Sequence, residues 1–217
     1  MPDKIRTYTS DDIDVTYNAA RCIHAAECVR RLPAVFDTHK RPWVQPANAG
    51  ADDVAAIVER CPTGALHYVR QSGHQEAAPT TNTIRLEANG PLYVRGDIEI
   101  VRPDGTIVVR DTRLALCRCG ASQNKPFCDN SHLTNGFRAP GTLHEAPAGA
   151  EITVQEGSLR ITLRPNGSLR CEGPHAIVDL RGRIVFQAER SKLCRCGGSA
   201  NQPFCDHTHR HNGFTDS

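Results

Sequence analysis

Two stretches of sixteen residues carry the same four metal-binding side chains at the same spacing, and no other feature of the sequence constrains the chain so tightly. The first runs from Cys117 to His132 and offers Cys117, Cys119, Cys128 and His132. The second offers Cys194, Cys196, Cys205 and His209. Both fit the pattern C-x-C-x8-C-x3-H. A shift of 77 residues, 194 minus 117, aligns 83–137 with 160–214 without a gap, and 27 of those 55 pairs are identical. Unrelated segments share only a few, so the second stretch is a duplicate of the first. Two thiolates one residue apart can hold one metal atom from a single loop, while a Cys and a His four positions apart share one face of a helical turn. The ligands thus come in two pairs. That suits one tetrahedral zinc, or a two-iron cluster with one pair on each iron.

Composition narrows the setting. The chain has 217 residues, ten Cys and ten His, and small cores of this kind need stabilisation from metals or disulfides. Met1-Pro2-Asp3-Lys4 has neither the charged nor the apolar part of a secretory signal, and no apolar run reaches membrane-spanning length. The expectation is a cytoplasmic protein, whose cysteines serve as ligands rather than disulfides. Lys and Arg number 26 against 24 acidic residues, interspersed and without a basic block. Nucleic-acid binding therefore has no support.

Each repeat opens with β-type segments broken by turn residues. In the first these are Ile84-Arg85-Leu86, Asp97 to Val101, the turn Arg102-Pro103-Asp104-Gly105, and Thr106 to Val109. In the second they are Ile161-Thr162-Leu163, Ala176-Ile177-Val178, Gly182 at the turn, and Ile184-Val185-Phe186. Pro, Gly, Ala and Thr dominate 71–82 and 139–150, which read as linkers. The expected domains are 1–70, a first repeat over 83–138 and a second over 151–217. In the N-terminal unit Val54, Ile57, Val58 and Cys61 follow the spacing of one helix face, and Pro62 ends the stretch.

The stretches 117–132 and 194–209 resemble the signature of the CDGSH iron–sulfur proteins, the NEET family: C-x-C-x2-[ST]-x3-P-x-C-D-G-[STA]-H. All positions but one match in each copy. The resemblance implies a 2Fe-2S cluster per copy, with Cys117 and Cys119 on one iron and Cys128 and His132 on the other. In the second copy Cys194 and Cys196 face Cys205 and His209. It also implies that the repeats pack as a pseudo-dimer within one chain. The departures fall at the Gly of the signature, replaced by Asn130 and His207. Asn and His are among the residues most tolerant of positive φ, so a left-handed turn is expected at both. A rival assignment makes His207 a ligand. Cys171 aligns with Val94 and reads as a buried structural thiol.

Three cysteines remain: Cys22, Cys28 and Cys61, the last followed by Pro62. A C-x5-C with a distant Cys-Pro points to a ferredoxin-type cluster. Arg21 to Phe36, Pro42-Trp43-Val44 and Arg60 to Leu66 resemble the divergent single-cluster ferredoxin domain that precedes CDGSH modules in bacterial proteins. Such ferredoxins use C-x2-C-x2-C, and here the middle position is Ala25. Three cysteines suit a 3Fe-4S cluster, or a 4Fe-4S cluster completed by His24 or an outside ligand.

The expected fold class is α+β: a ferredoxin-like unit joined to duplicated β-rich domains. The expected function is electron transfer, iron–sulfur cluster transfer or both, without enzymatic activity. No Gly-rich nucleotide fingerprint, nucleophile elbow or paired-carboxylate site is recognisable. The expected partner is a redox protein or an apo acceptor of clusters, met by a monomeric chain without nucleic acid or membrane. The competing readings are a zinc-stabilised interaction module and the electron-carrying component of a multi-chain reductase.

Overall fold

In the N-terminal unit, Ile13 and Val15 are buried while Asp14 and Thr16 between and after them are only partly so. That alternation makes a half-buried strand. A computed structural model describes residues 5–143 and 156–216, and the chain divides into Met1–Ala77 and Ala78–Ser217. In the first unit β1 (Ile5–Tyr8), β2 (Ile13–Asn18) and β3 (Leu66–Arg70) form an antiparallel sheet in the order β1-β2-β3. Two short helices accompany it, α1 (Glu27–Arg31) and α2 (Ala51–Val58). The core joins Ile13, Val15 and Tyr68 of the sheet to Val54 and Val58 of α2, with Phe36 and Val44. The helix stops at Val58, short of the Cys61 included in the apolar spacing. Arg60 and Cys61 donate instead to the carbonyls of Ile57 and Val58, three residues back, which tightens the last turn and turns the chain away.

The expected α+β, ferredoxin-like class is overturned. The described residues are sheet-rich, with only these two α-helices, because the apolar helical spacing in the unit is too short to build more.

The second unit contains β4 (Thr83–Leu86), β5 (Leu92–Val101), β6 (Ile107–Leu116), β7 (Leu159–Leu163), β8 (Leu169–Val178) and β9 (Ile184–Leu193). Within each repeat the strands pair antiparallel: β4 with β5 and β5 with β6, then β7 with β8 and β8 with β9. Between repeats they pair parallel, β5 with β7 and β8 with β4. Those pairings close β4, β5, β7 and β8 into a four-stranded barrel, with β6 and β9 extending it on the outside. The repeats, expected to pack as a pseudo-dimer of small β-rich domains, interleave their strands in one sheet. They exchange edges, and neither completes the barrel alone.

A register shift in each long strand makes this possible. It falls between Arg95 and Ile98 in β5 and between Glu172 and His175 in β8. Gly96 and Gly173, aligned across the repeats, sit in these shifts with φ of 152° and 111°. Before the shift β5 pairs with β4 of its own repeat, and after it with β7 of the other; β8 does the same with β7 and β4. A glycine is needed at both, because a side chain on Gly96 would run into Asn82 and one on Gly173 into the Ser158 carbonyl. Ile84, Leu92, Ile98, Ile100, Ile161, Leu169 and Ile177 fill the core.

Asn82, read from sequence as the end of a linker, is 1% exposed. Its amide donates to the carbonyls of Gly157 and Pro174 at 2.7 and 2.8 Å and accepts from the Asp97 N–H at 2.9 Å. It ties the first repeat to the second. Of the second expected linker, residues 144–150 lie outside the described residues, as do 151–155. Its first residues are pinned, with Ala139 and Asn89 exchanging hydrogen bonds. Among the described residues, no helix is long and apolar enough to cross a membrane.

Candidate metal centres

Each ligand loop begins where an outer strand ends. Leu116 and Leu193 close β6 and β9, and the cysteine pairs follow at once. The Cys117 N–H donates to the Pro126 carbonyl and the Cys128 N–H to the Ala115 carbonyl, which folds the loop back along the strand; Cys194 and Cys205 repeat this with Pro203 and Lys192. Ser122 holds the intervening turn by donating to the Phe127 carbonyl at 2.7 Å, and Ser199 donates to Phe204 at 2.6 Å. Asp129 accepts from the N–H groups of Gln123 and Ser131 at 2.8 and 3.0 Å. Asp206 accepts likewise from Ala200 and Thr208. Burial opposes ionisation of Asp206, but the Thr208 and Ala200 bonds prevail and bring it down to about 2. The support it gives the loop is therefore complete above the ordinary carboxylate range and fades as pH falls towards 2.

Asn130 and His207 are both left-handed, with φ of 71° and 70°, as their residue types predict. Each opens the single turn of 3₁₀ helix, Ser131–Leu133 or Thr208–Arg210, that brings the ligand histidine back to its cysteine.

The donor distances are informative. Cys117 and Cys119 Sγ lie 3.8 Å apart, and Cys194 and Cys196 Sγ 3.6 Å apart. Cys128 Sγ and His132 Nδ1 are separated by 3.5 Å, as are Cys205 Sγ and His209 Nδ1. Two sulfurs about 2.3 Å from one tetrahedral metal stand ~3.8 Å apart, and a sulfur and an imidazole nitrogen ~3.5 Å apart. Each pair therefore matches one metal atom. A single zinc would bring all four donors equally close. Among the described residues no three of either set of four lie within 4.8 Å of one another; the one such group is Cys205, His207 and His209. The two pairs of a site act on one another electrostatically: Cys119 helps raise Cys128, and His209 helps lower Cys196. The residues fit a two-metal cluster better than one zinc.

The electrostatics favour metal loading. Within each close pair the inner cysteine keeps its proton and shares it with the outer. Cys117 and Cys194 are pushed far up by that hydrogen bond and by burial, while Cys119 and Cys196 fall to about 6 and about 5. Loading then has one proton per pair to displace. Burial pushes Cys128 up to about 11 and lowers His132. Cys117 and Cys194 are each 1% exposed, whereas His132 and His209 are only half-buried. The histidine end of each site faces the surface.

Several contributors escaped the sequence reading. Asn135 and Asn212 hydrogen-bond Cys119 and Cys196 and help hold them ionised; their identity across the repeat was the available signal. Arg118 and Arg195, inside the C-x-C segments, are almost wholly buried. Arg118 donates to Gln202 Oε1 of the other repeat at 2.9 Å and to the Glu87 and Pro140 carbonyls at 3.1 Å. Arg195 bonds within its own repeat, to the Gly167 and Arg164 carbonyls and to Asp216. The two C-x-C-G loops touch: a Cβ on Gly120 would lie 2.5 Å from the Cys196 carbonyl oxygen, and one on Gly197 would strike that of Cys119. Cys171 is fully buried in β8, and burial pushes its thiol up to about 12.

In the N-terminal unit Cys22, Cys28 and Cys61 line one small cavity with Tyr17, Ala25 and Trp43. Burial raises Cys28 to about 11, against the pull of the Val29 N–H, and Cys61 and Cys22 add to the rise. Tyr17, also unforeseen, hydrogen-bonds Cys22. His24 is exposed and does not line the cavity. The three thiols do not all lie within 4.8 Å of one another. That spacing fits a cluster with one thiolate per iron rather than a single ion.

Comparison with known proteins agrees with this division. Residues 8–71 match the family described as "Divergent 4Fe-4S mono-cluster". Residues 89–133 and 166–210 each match "Iron-binding zinc finger CDGSH type". The chain is 38% identical over 63 residues to the "Uncharacterized protein YjdI" of Escherichia coli strain K12, and equally to that of Escherichia coli O157:H7. Each match covers 29% of this chain and 83% of the relative. No solved structure matches the chain.

Proposed function

This chain is an iron–sulfur protein that belongs to the tandem CDGSH iron-binding proteins, with a divergent 4Fe-4S mono-cluster domain ahead of the repeats, and from that premise we propose that it carries electrons. The observation that carries this reading is the pairwise spacing of donors in each repeat, 3.8 and 3.5 Å in the first and 3.6 and 3.5 Å in the second. Such pairs suit a 2Fe-2S cluster held by three cysteines and one histidine, which supplies one-electron chemistry when bound. Cys117, Cys119, Cys128 and His132 hold the first, and Cys194, Cys196, Cys205 and His209 the second. Cys22, Cys28 and Cys61 hold a third, which we assign as 3Fe-4S because the middle ligand position is Ala25.

The half-buried histidines give each site a face through which a partner exchanges an electron, while the deep cysteines keep the sulfur side dry. The partner is a redox protein, and the chain acts as carrier rather than catalyst. Its ten cysteines are free of disulfides, which supports work in the reducing cytoplasm.

Protein purified without oxygen should be coloured, contain iron and inorganic sulfide, and bleach reversibly on reduction. A colourless sample loaded with zinc would refute the reading. Electron paramagnetic resonance separates the assignments for the third site, because an oxidised three-iron cluster is paramagnetic and an oxidised four-iron ferredoxin cluster is not. Incubation with an apo acceptor tests the other mode: transfer of iron together with electrons would establish cluster delivery.

Replacing His132 or His209 by Cys should lower the potential of the altered site by on the order of 100 mV or more, since imidazole in place of thiolate raises the potential of such clusters. Potentiometric titration followed by visible absorption measures this. Unchanged potentials in both variants would show that the histidines are not ligands.

A further inference from the structure

The two repeats share their ligands but not their surroundings. Beside the second site runs a groove of about 1350 Å³, lined by Arg164, Arg170, Arg190, Lys192 and Arg210 and reaching Cys205 and His209. All five cations are exposed. Arg170 pairs with Glu172 at 2.8 Å, whereas among the described residues the other four have no ion-pair partner. The aligned positions in the first repeat are Glu87, Tyr93, Arg113, Ala115 and Leu133. There Glu87 pairs with Arg85 and Arg113 is 2% exposed. Glu189 also lines the groove, so these residues give the second repeat a net charge of +4, where the aligned positions of the first, Thr112 included, give zero. Duplication begins with identical sequences, so the difference arose after it.

We infer that the groove over the second site docks an acidic electron-transfer protein, and that the second repeat, not the first, is the chain's port for electrons from that partner. The inference rests on reading the site as an electron carrier. The charges favour a protein over a small anion. They are spread along β8 and β9, the β7–β8 turn and the final 3₁₀ turn, each exposed, and do not converge on one buried point as a phosphate pocket requires. A spread patch is what complements a carboxylate-rich protein surface and steers its approach. His209 is half-buried at the groove, so a docked partner comes close to the histidine end of the site. In the step itself one electron leaves the reduced partner and enters the oxidised second site; no bond is made or broken.

The test uses the full chain, loaded anaerobically, with flavodoxin hydroquinone as the acidic donor, itself oxidised to the semiquinone. Stopped-flow reduction is followed for the wild type, for Arg164→Glu with Lys192→Glu, and for a control with the same charge change at exposed turn residues, Arg102→Glu with Arg181→Glu. A neutral pair, Arg164→Gln with Lys192→Gln, guards against misfolding of the charge-reversed variant, and visible circular dichroism checks all samples. The expected results are a loss of about tenfold or more in second-order rate at low salt for the reversed groove, a smaller loss for the neutral pair, and less than about twofold for the control. The wild-type rate should fall as salt rises, while the reversed variant responds little. Reduction by dithionite should be alike in all.

Equal rates for groove and control variants, with normal dithionite reduction, would overturn this inference alone. Sites that dithionite does not reduce reversibly would overturn the carrier reading and this inference with it. Inhibition by micromolar inorganic pyrophosphate, too dilute to screen charge, would assign the groove to a small anion and overturn the docking proposal.

Discussion

Gly120→Ala and Gly197→Ala should each cost more than ~2 kcal/mol and release both clusters of the tandem repeats at temperatures the wild type withstands. Two penalties combine. Both glycines are left-handed, with φ of 81° and 79°, a conformation that costs a residue with a side chain about 1–2 kcal/mol. In addition, the new methyl group of Gly120→Ala would sit 2.5 Å from the Cys196 carbonyl oxygen, and that of Gly197→Ala against the Cys119 carbonyl. These are backbone atoms of ligand residues, so one loop can yield only by moving a ligand of the other site. The control is Gly105→Ala in the β5–β6 turn, where φ is 85° but no atom lies within 4 Å of the added carbon. It carries the conformational penalty without the collision. Thermal denaturation followed through visible absorption compares the three. A Gly120→Ala protein no less stable than Gly105→Ala would show that the loops do not press on one another.

The second large effect is expected at Arg118. Its guanidinium is 1% exposed, and burial lowers its affinity for a proton to about 10, partly offset by Cys194. Removing it leaves Gln202 Oε1 and the Pro140 carbonyl without a donor, while the Glu87 carbonyl keeps the Gly90 N–H, at a cost on the order of 3 kcal/mol. Arg118→Met should therefore unfold at lower temperature than the wild type. Arg118→Lys should also be destabilised, since one ammonium cannot reach three acceptors in fixed directions. The variants should part in their redox behaviour. Cys194 belongs to the second repeat, so loss of positive charge in Arg118→Met should lower the potential of the second site, while Arg118→Lys keeps it near the wild type. The His→Cys variants distinguish the sites in such a titration. Equal potentials for Met and Lys variants would remove the electrostatic link between the repeats.

Much of this protein was legible before any tertiary contact was known. Cys and His at fixed spacing are chemical requirements written in one stretch of chain, so both sets of candidate ligands are legible in sequence. The alternating segments at 97–101 and 184–186 and their turns likewise reflect local backbone preference. The left-handed turns at Asn130 and His207 were legible for the same reason: positive φ selects residue types.

Other features had no local signature. The exchange of strands between repeats depends on β5 meeting β7 and β8 meeting β4, segments roughly 60 to 90 residues apart, and apolar alternation says only that a face is buried, not against what. Gly96 and Gly173 were visible as letters, but their role depends on Asn82 and Ser158 arriving beside them. The ferredoxin-like α+β expectation failed because resemblance in cysteine spacing carries ligand chemistry and not helical content; two short helices and a three-stranded sheet hold Cys22, Cys28 and Cys61.

Thus the sequence by itself determined which atoms can bind metal, because ligand identity is covalent and local. Only the tertiary structure decided that no three donors of either set of four lie within 4.8 Å of one another, that an arginine of one repeat hydrogen-bonds a glutamine of the other, and that the second site lies beside an open basic groove. Each of those depends on distances between residues remote in the chain, which burial and strand pairing set.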